Sequence, residues 1–152
     1  MIAWSRIWSP VVHDGLRSEA WQALDLPGSY EIHKSIYWTT FHVGAPQPEV
    51  PLLLHAALNL EGAGVREDWL RVISYLGLSW DDVHLPPDQL GAACEIYACA
   101  IERQEKVLIE ELRSRYLSPW CEVAGQSLAQ SESALLPLVE SFRRDLAVIG
   151  EA

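Results

Sequence analysis

From Leu90 to Tyr116 an apolar or long side chain recurs every three or four residues: Leu90, Cys94, Tyr97, Ile101, Gln104, Leu108, Leu112 and Tyr116. That spacing is the face of an α-helix, and the charges Glu102, Arg103, Glu105, Lys106 and Glu110 largely occupy the other faces. A stripe of this length has to be covered by other helices, because helix stability in proteins comes mainly from packing such a face. The helix is expected to start at Pro87, whose fixed φ suits a first turn, with Asp88 complementing the positive end of its dipole. Pro119 marks the expected end.

The rest of the chain has the same character. A helix is expected from about Gly15 to Leu24, stopped by Pro27-Gly28, and Ser29 can cap a second that carries Tyr37 and Phe41 on one face. Gly44-Ala45-Pro46-Gln47-Pro48 ends it. Residues 48–51 read as extended, Leu52 to Leu60 resume a helical pattern, and Glu61-Gly62-Ala63-Gly64 reads as a break. A packed helix follows from Glu67 to Leu76, with Gly77 at a left-handed C-terminal cap. The last runs from about Ser133 to Ile149, with Pro137 in its first turn or two. Residues 1–14 are aromatic but irregular, and Pro10 breaks them. With no hairpin signal or repeat, the expectation is an all-α chain, residues 1–152 forming a single-domain helical bundle.

Charge narrows the partners. Acidic residues outnumber basic ones 21 to 11, a net charge of −10 that repels nucleic acid and anionic membrane surfaces and attracts a basic peptide. Solubility alone also accounts for such a balance. The seven Trp residues fit either a thick core or an apolar groove, and core is the expectation for most. No window reaches the roughly 20 apolar residues of a membrane span, and no secretory signal opens the chain. Cys94, Cys99 and Cys121 are an odd, unpaired set, which places the chain in the cytoplasm by default.

Catalytic patterns are missing. Gly62-Ala63-Gly64 has Glu67 where a dinucleotide loop needs its third glycine, and Ser127 lies in no nucleophile elbow. The five His form no helical metal pair, Cys94 and Cys99 are not a C-x-x-C, and Glu95, Glu102, Glu110 and Glu111 lack an accompanying Glu-x-x-His. No catalytic residue, metal or cofactor is expected.

Several motifs in fixed order carry a resemblance: Tyr37 to Phe41 with Gly44 and Pro46, then Gly77-Leu78, Pro86-Pro87-Asp88-Gln89-Leu90, and Leu117-Ser118-Pro119-Trp120. Together they span over half the molecule and resemble the TorD/DmsD/NarJ-type chaperones that assist assembly of molybdenum enzymes. Gln89 stands where that family usually has His, Ala93 where an acidic residue is common, and Tyr116 where a His often precedes the Leu-x-Pro-Trp ending. Gln89 keeps hydrogen bonding without titration. The chain is also short for the family, which suggests a divergent member.

The resemblance implies a cytoplasmic chaperone that binds the leader, often of twin-arginine type, or the apo form of a molybdopterin-dependent oxidoreductase catalytic subunit until its cofactor is inserted. On that basis Asp88 is the candidate charge-recognising position, with Gln89, Pro87 and Leu90 beside it and Tyr37, Phe41 and Trp120 as aromatic surface. The plainer alternative makes Pro86 to Leu90 a helix-start turn and the three aromatics core. A small helical adaptor of a redox complex is the competing function, and a homodimer formed by exchange of helices stays open.

Overall fold

The computed structural model describes residues 1–151. Helices α1 (Ile2–Trp8), α2 (Asp14–Ala23), α3 (Tyr30–Phe41), α4 (Leu54–Ala57), α5 (Gly62–Tyr75), α6 (Leu90–Glu102), α7 (Lys106–Leu112), α8 (Ser118–Gln130) and α9 (Leu136–Glu151) follow in order, with a π turn at Arg113–Leu117 between α7 and α8. The protein is an all-α, single-domain bundle, and the described residues hold no strand beyond one isolated bridge, Leu53 with Gln89.

Packing is organised by α1, the segment read as irregular. It lies mainly against α6 and α2, while α8 pairs with α9. Trp8 sits at the centre, its ring 5.2 Å from both Phe41 of α3 and Trp120 of α8, and 5.6 Å from Phe142 of α9. Five of the seven Trp are buried: Trp4, Trp8, Trp21, Trp69 and Trp120. A seven-residue helix has little stability alone, so these rings rather than local propensity make α1 helical.

The expected long helix is broken in two, α6 and then α7, which runs on through the π turn into α8. After α6 the chain reverses hand at Gln104 (φ +59°), with Glu105 N–H donating to Ala100 O and Gln104 N–H to Ile101 O, the paired bonds of a Schellman cap. Arg103 reaches across to the carbonyl of Leu76, and the Tyr75 hydroxyl donates to Glu105 (3.0 Å), so contacts with the end of α5 hold the break in place. Gly77 closes α5 in the same way at φ +65°, as its sequence position required. Gln104 carries the strain of a side chain in that conformation. Gln104→Gly is expected to stabilise the fold by about 1 kcal/mol, raising Tm by roughly 2–4 °C in a thermal melt.

Pro119 does not end a helix either. It lies in the first turn of α8, and the preceding π turn, in which Ser118 N–H donates five residues back to Arg113 O, shifts the bonding so that the missing N–H costs little. The expected break at Glu61 to Gly64 is instead a helix start. Glu61 caps α5, its carboxylate accepting from Ala63 N–H (2.8 Å) and Gly64 N–H (2.6 Å), and those bonds, Gly64's first, hold its pKa below the ordinary value. Residues 52–60 form only the single turn α4, because Leu52 O and Leu54 N are bonded to residues 88–90 instead of to helix neighbours. Expectations for α2, α3 with its Ser29 cap, and α9 with Pro137 in its first turn match the structure.

Candidate functional site

The segment of sharpest resemblance is a buried joint. Asp88 O accepts from Leu54 N–H (2.9 Å) and Leu90 N–H donates to Leu52 O (2.8 Å), so residues 88–90 run extended beside 52–54. Pro87 and Asp88 therefore precede the helix rather than open it. The cap is Gln89, whose Oε1 accepts from Gly91 N–H (2.7 Å) and Ala92 N–H (3.2 Å) while its Nε2 donates to Trp8 O (2.7 Å). One amide thus starts α6 and ties it to the end of α1. Oδ2 of Asp88 accepts from the His55 backbone N–H (3.2 Å) and lies 2.6 Å from His55 Nδ1, whereas its Oδ1 has no hydrogen-bond partner.

All seven residues singled out by resemblance are interior. Asp88, Leu90, Tyr37 and Trp120 have no exposed surface, Phe41 and Gln89 very little, and Pro87 is buried. Direct reading of a leader by Asp88, Gln89, Pro87 and Leu90 is corrected to a structural role, since none of these side chains is presented to solvent. Tyr37, Phe41 and Trp120 belong to the core around Trp8; Trp120 Nε1 donates to Pro51 O (3.0 Å).

What the joint positions is a groove of about 380 Å³. One wall is Ser9, Val11 and Val12, between α1 and α2; the other is the loop holding Trp80, Asp82, Val83, His84 and Leu85; Gly91, Ala92 and Glu95 of α6 form the floor. Trp80 Nε1 donates to Leu85 O (3.1 Å), closing the loop on itself. Gly91 is demanded by close approach: a Cβ there would lie 2.8 Å from Ser9 N and 2.9 Å from Ser9 Cα, inside any real contact. Asp82 and Glu95 are exposed carboxylates without an ion pair among the described residues, Glu95 accepting only from Ser5 Oγ at 3.3 Å. Apolar walls beside two free carboxylates suit an extended segment that is apolar and basic. The sequence reading missed these residues. The available signal was Trp80-Asp81-Asp82, an aromatic and acidic loop tethered between the Gly77 stop and the Pro86-Pro87 pair.

Behind the α1–α2 wall, His42 Nε2 lies 2.9 Å from the Tyr37 hydroxyl, which itself donates to Ile7 O, so the imidazole is the donor. Burial first, then the nearby Arg17 cation, hold His42 down to about 4. The unfolded chain takes this proton near pH 6.5, so stability is full above that value and falls as pH drops towards 4, by at most about 3 kcal/mol. Thermal melts at pH 7 and pH 5 are expected to show this loss, and His42→Gln to narrow the difference between them.

A second cleft, about 430 Å³ between α8 and α9, is lined by Cys121, Glu122, Glu140 and Arg143 among others. Burial pushes the Cys121 thiol up to about 12, which keeps it protonated and unreactive at neutral pH. Among the described residues no three His, Cys, Asp or Glu side chains are grouped to hold a metal ion, and no helix is long and apolar enough to cross a membrane. Comparison with protein-family models, with curated proteins and with solved structures finds no match to this chain. The class that the fold defines is therefore a helical bundle with a carboxylate-rimmed groove.

Proposed function

We propose that this protein is a non-catalytic maturation chaperone of the TorD/NarJ kind, holding the leader or apo form of a molybdopterin-enzyme catalytic subunit in the cytoplasm until cofactor insertion. The observation that supports this reading is the groove between residues 9–12 and 80–85, with Asp82 and Glu95 beside apolar walls. A leader pairs basic residues with an apolar stretch, so the carboxylates take the first and Val11, Val12, Trp80 and Val83 the second. The net charge of −10 adds long-range attraction that salt screens.

The test is calorimetric titration with a synthetic twin-arginine leader peptide. Asp82→Asn combined with Glu95→Gln is expected to weaken binding about 10-fold or more, a loss of about 1.4 kcal/mol, with the melting temperature unchanged because both carboxylates are exposed. Equal affinity in the two proteins would remove the groove from the reading. Affinity capture from native cytosol would identify the client.

A second reading has its own observation. The solvent face of α3 carries Ile32, Ile36 and, just beyond it, Val43, exposed by 76%, 36% and 64%. A stripe of this kind suits an adaptor permanently bound to a partner, which would co-purify in fixed stoichiometry.

A further inference from the structure

We propose that Arg17 is the positioning residue of the groove: a buried cation that sets the wall formed by residues 9–12 against the floor of α6. The inference rests on the groove being the peptide site. Helix α1 ends at Trp8, and Pro10 carries the chain away before α2 begins at Asp14, leaving carbonyls with no helical partner. Arg17 gathers them. Its Nη2 donates to Ser9 O (2.6 Å) and Val12 O (3.3 Å), and its Nε to Ile7 O (3.4 Å).

The guanidinium is itself held rigidly. Its carbon lies 5.2–5.3 Å from the rings of Tyr30, Tyr37 and Trp38, and Nη1 donates to the Tyr30 hydroxyl and to Asp14 Oδ1, both at 3.2 Å. From the other side Gln89 holds Trp8 O, and Gly91 admits the Ser9 backbone. The wall is thus clamped from behind and from below.

Arg17 is fully buried, and its one carboxylate partner, Asp14, is about half exposed. Burying a cation is costly, and an apolar side chain of similar size generally serves core stability as well or better. What an apolar group cannot do is donate to three carbonyls at once, and lysine lacks the planar fork that fixes the donors relative to one another. A fixed wall matters for binding because it leaves less to be ordered when a flexible peptide enters.

Arg17→Lys and Arg17→Met separate this role from general stability. Hydrogen–deuterium exchange, followed by mass spectrometry, is expected to quicken about 10-fold or more at Ser9 and Val11, whose N–H groups donate to Ser5 O and Ser9 Oγ, while α8 and α9 exchange as in wild type. Titration with a synthetic peptide of two adjacent arginines followed by an apolar stretch is expected to show at least about 5-fold weaker binding in both variants. Should either variant not fold, Asp14→Asn, which removes the carboxylate charge that Arg17 shares with Lys34 while leaving an oxygen to accept from the Tyr30 hydroxyl, is expected to loosen the same segment. Exchange at Ser9 and Val11 that is unchanged, or that rises only in step with α8 and α9, would overturn the proposal. Wild-type protein that leaves the peptide unbound would sink the groove reading instead, with the exchange pattern still deciding the role of Arg17.

Discussion

Trp8→Ala is expected to lower stability by about 3–5 kcal/mol, the range for removing a buried Trp, and Tm by roughly 6–20 °C. The ring has no exposed surface and joins four helices, touching Phe41, Trp120 and Phe142 while stacking on Trp4 at 5.9 Å. Its loss also removes the main reason for α1 to be helical, so far-UV circular dichroism should lose signal along with stability. Trp8→Phe is the control. It keeps most of the ring contacts and deletes an indole N–H that has no hydrogen-bond partner, so its cost should be less than half that of the alanine variant. Equal costs for the two would place the stabilisation elsewhere than in the aromatic cluster.

Asp88→Ala is expected to cost about 2–3 kcal/mol of stability and to leave peptide affinity within about 2-fold at temperatures where the variant is folded. The carboxyl is fully buried and fixes the start of α4 through the His55 N–H and Nδ1. Each such bond contributes about 1–3 kcal/mol when its loss strands a buried partner, and relief of the unpartnered Oδ1 offsets part of the sum. This reverses the expectation drawn from the resemblance, which made Asp88 the candidate charge-recognising position. Urea titration and peptide calorimetry on the same variant decide the matter. Weak binding with unchanged stability would return Asp88 to the recognition site.

Where a residue's own chemistry decides the outcome, the sequence was legible. Ser29 caps α3 because its hydroxyl reaches Ile32 N–H within three residues, Gly77 takes a positive φ that disfavours other residues, and Pro137 suits a first turn. The three- and four-residue apolar spacing likewise identified the buried faces, including Tyr37, Phe41, Leu90, Tyr97 and Leu112. Local rules misread Glu61-Gly62-Ala63-Gly64, since glycines usually break a helix; the carboxylate cap of Glu61 makes them a first turn.

Amino-acid order alone therefore determined an all-α chain, the stripes that had to be covered and several of the caps, because these depend on contacts within one or two turns. The break at Gln104, the helicity of residues 2–8 and the interior placement of Asp88 and Gln89 were decided only in three dimensions. Each rests on a partner far away in sequence: Arg103 on Leu76 O, Trp8 on Trp120 and Phe142, Asp88 on His55, Gln89 on Trp8 O. The groove belongs to the same class. Its wall, loop and floor come from residues 9–12, 80–85 and 91–95, and no local pattern brings them together before the bundle closes.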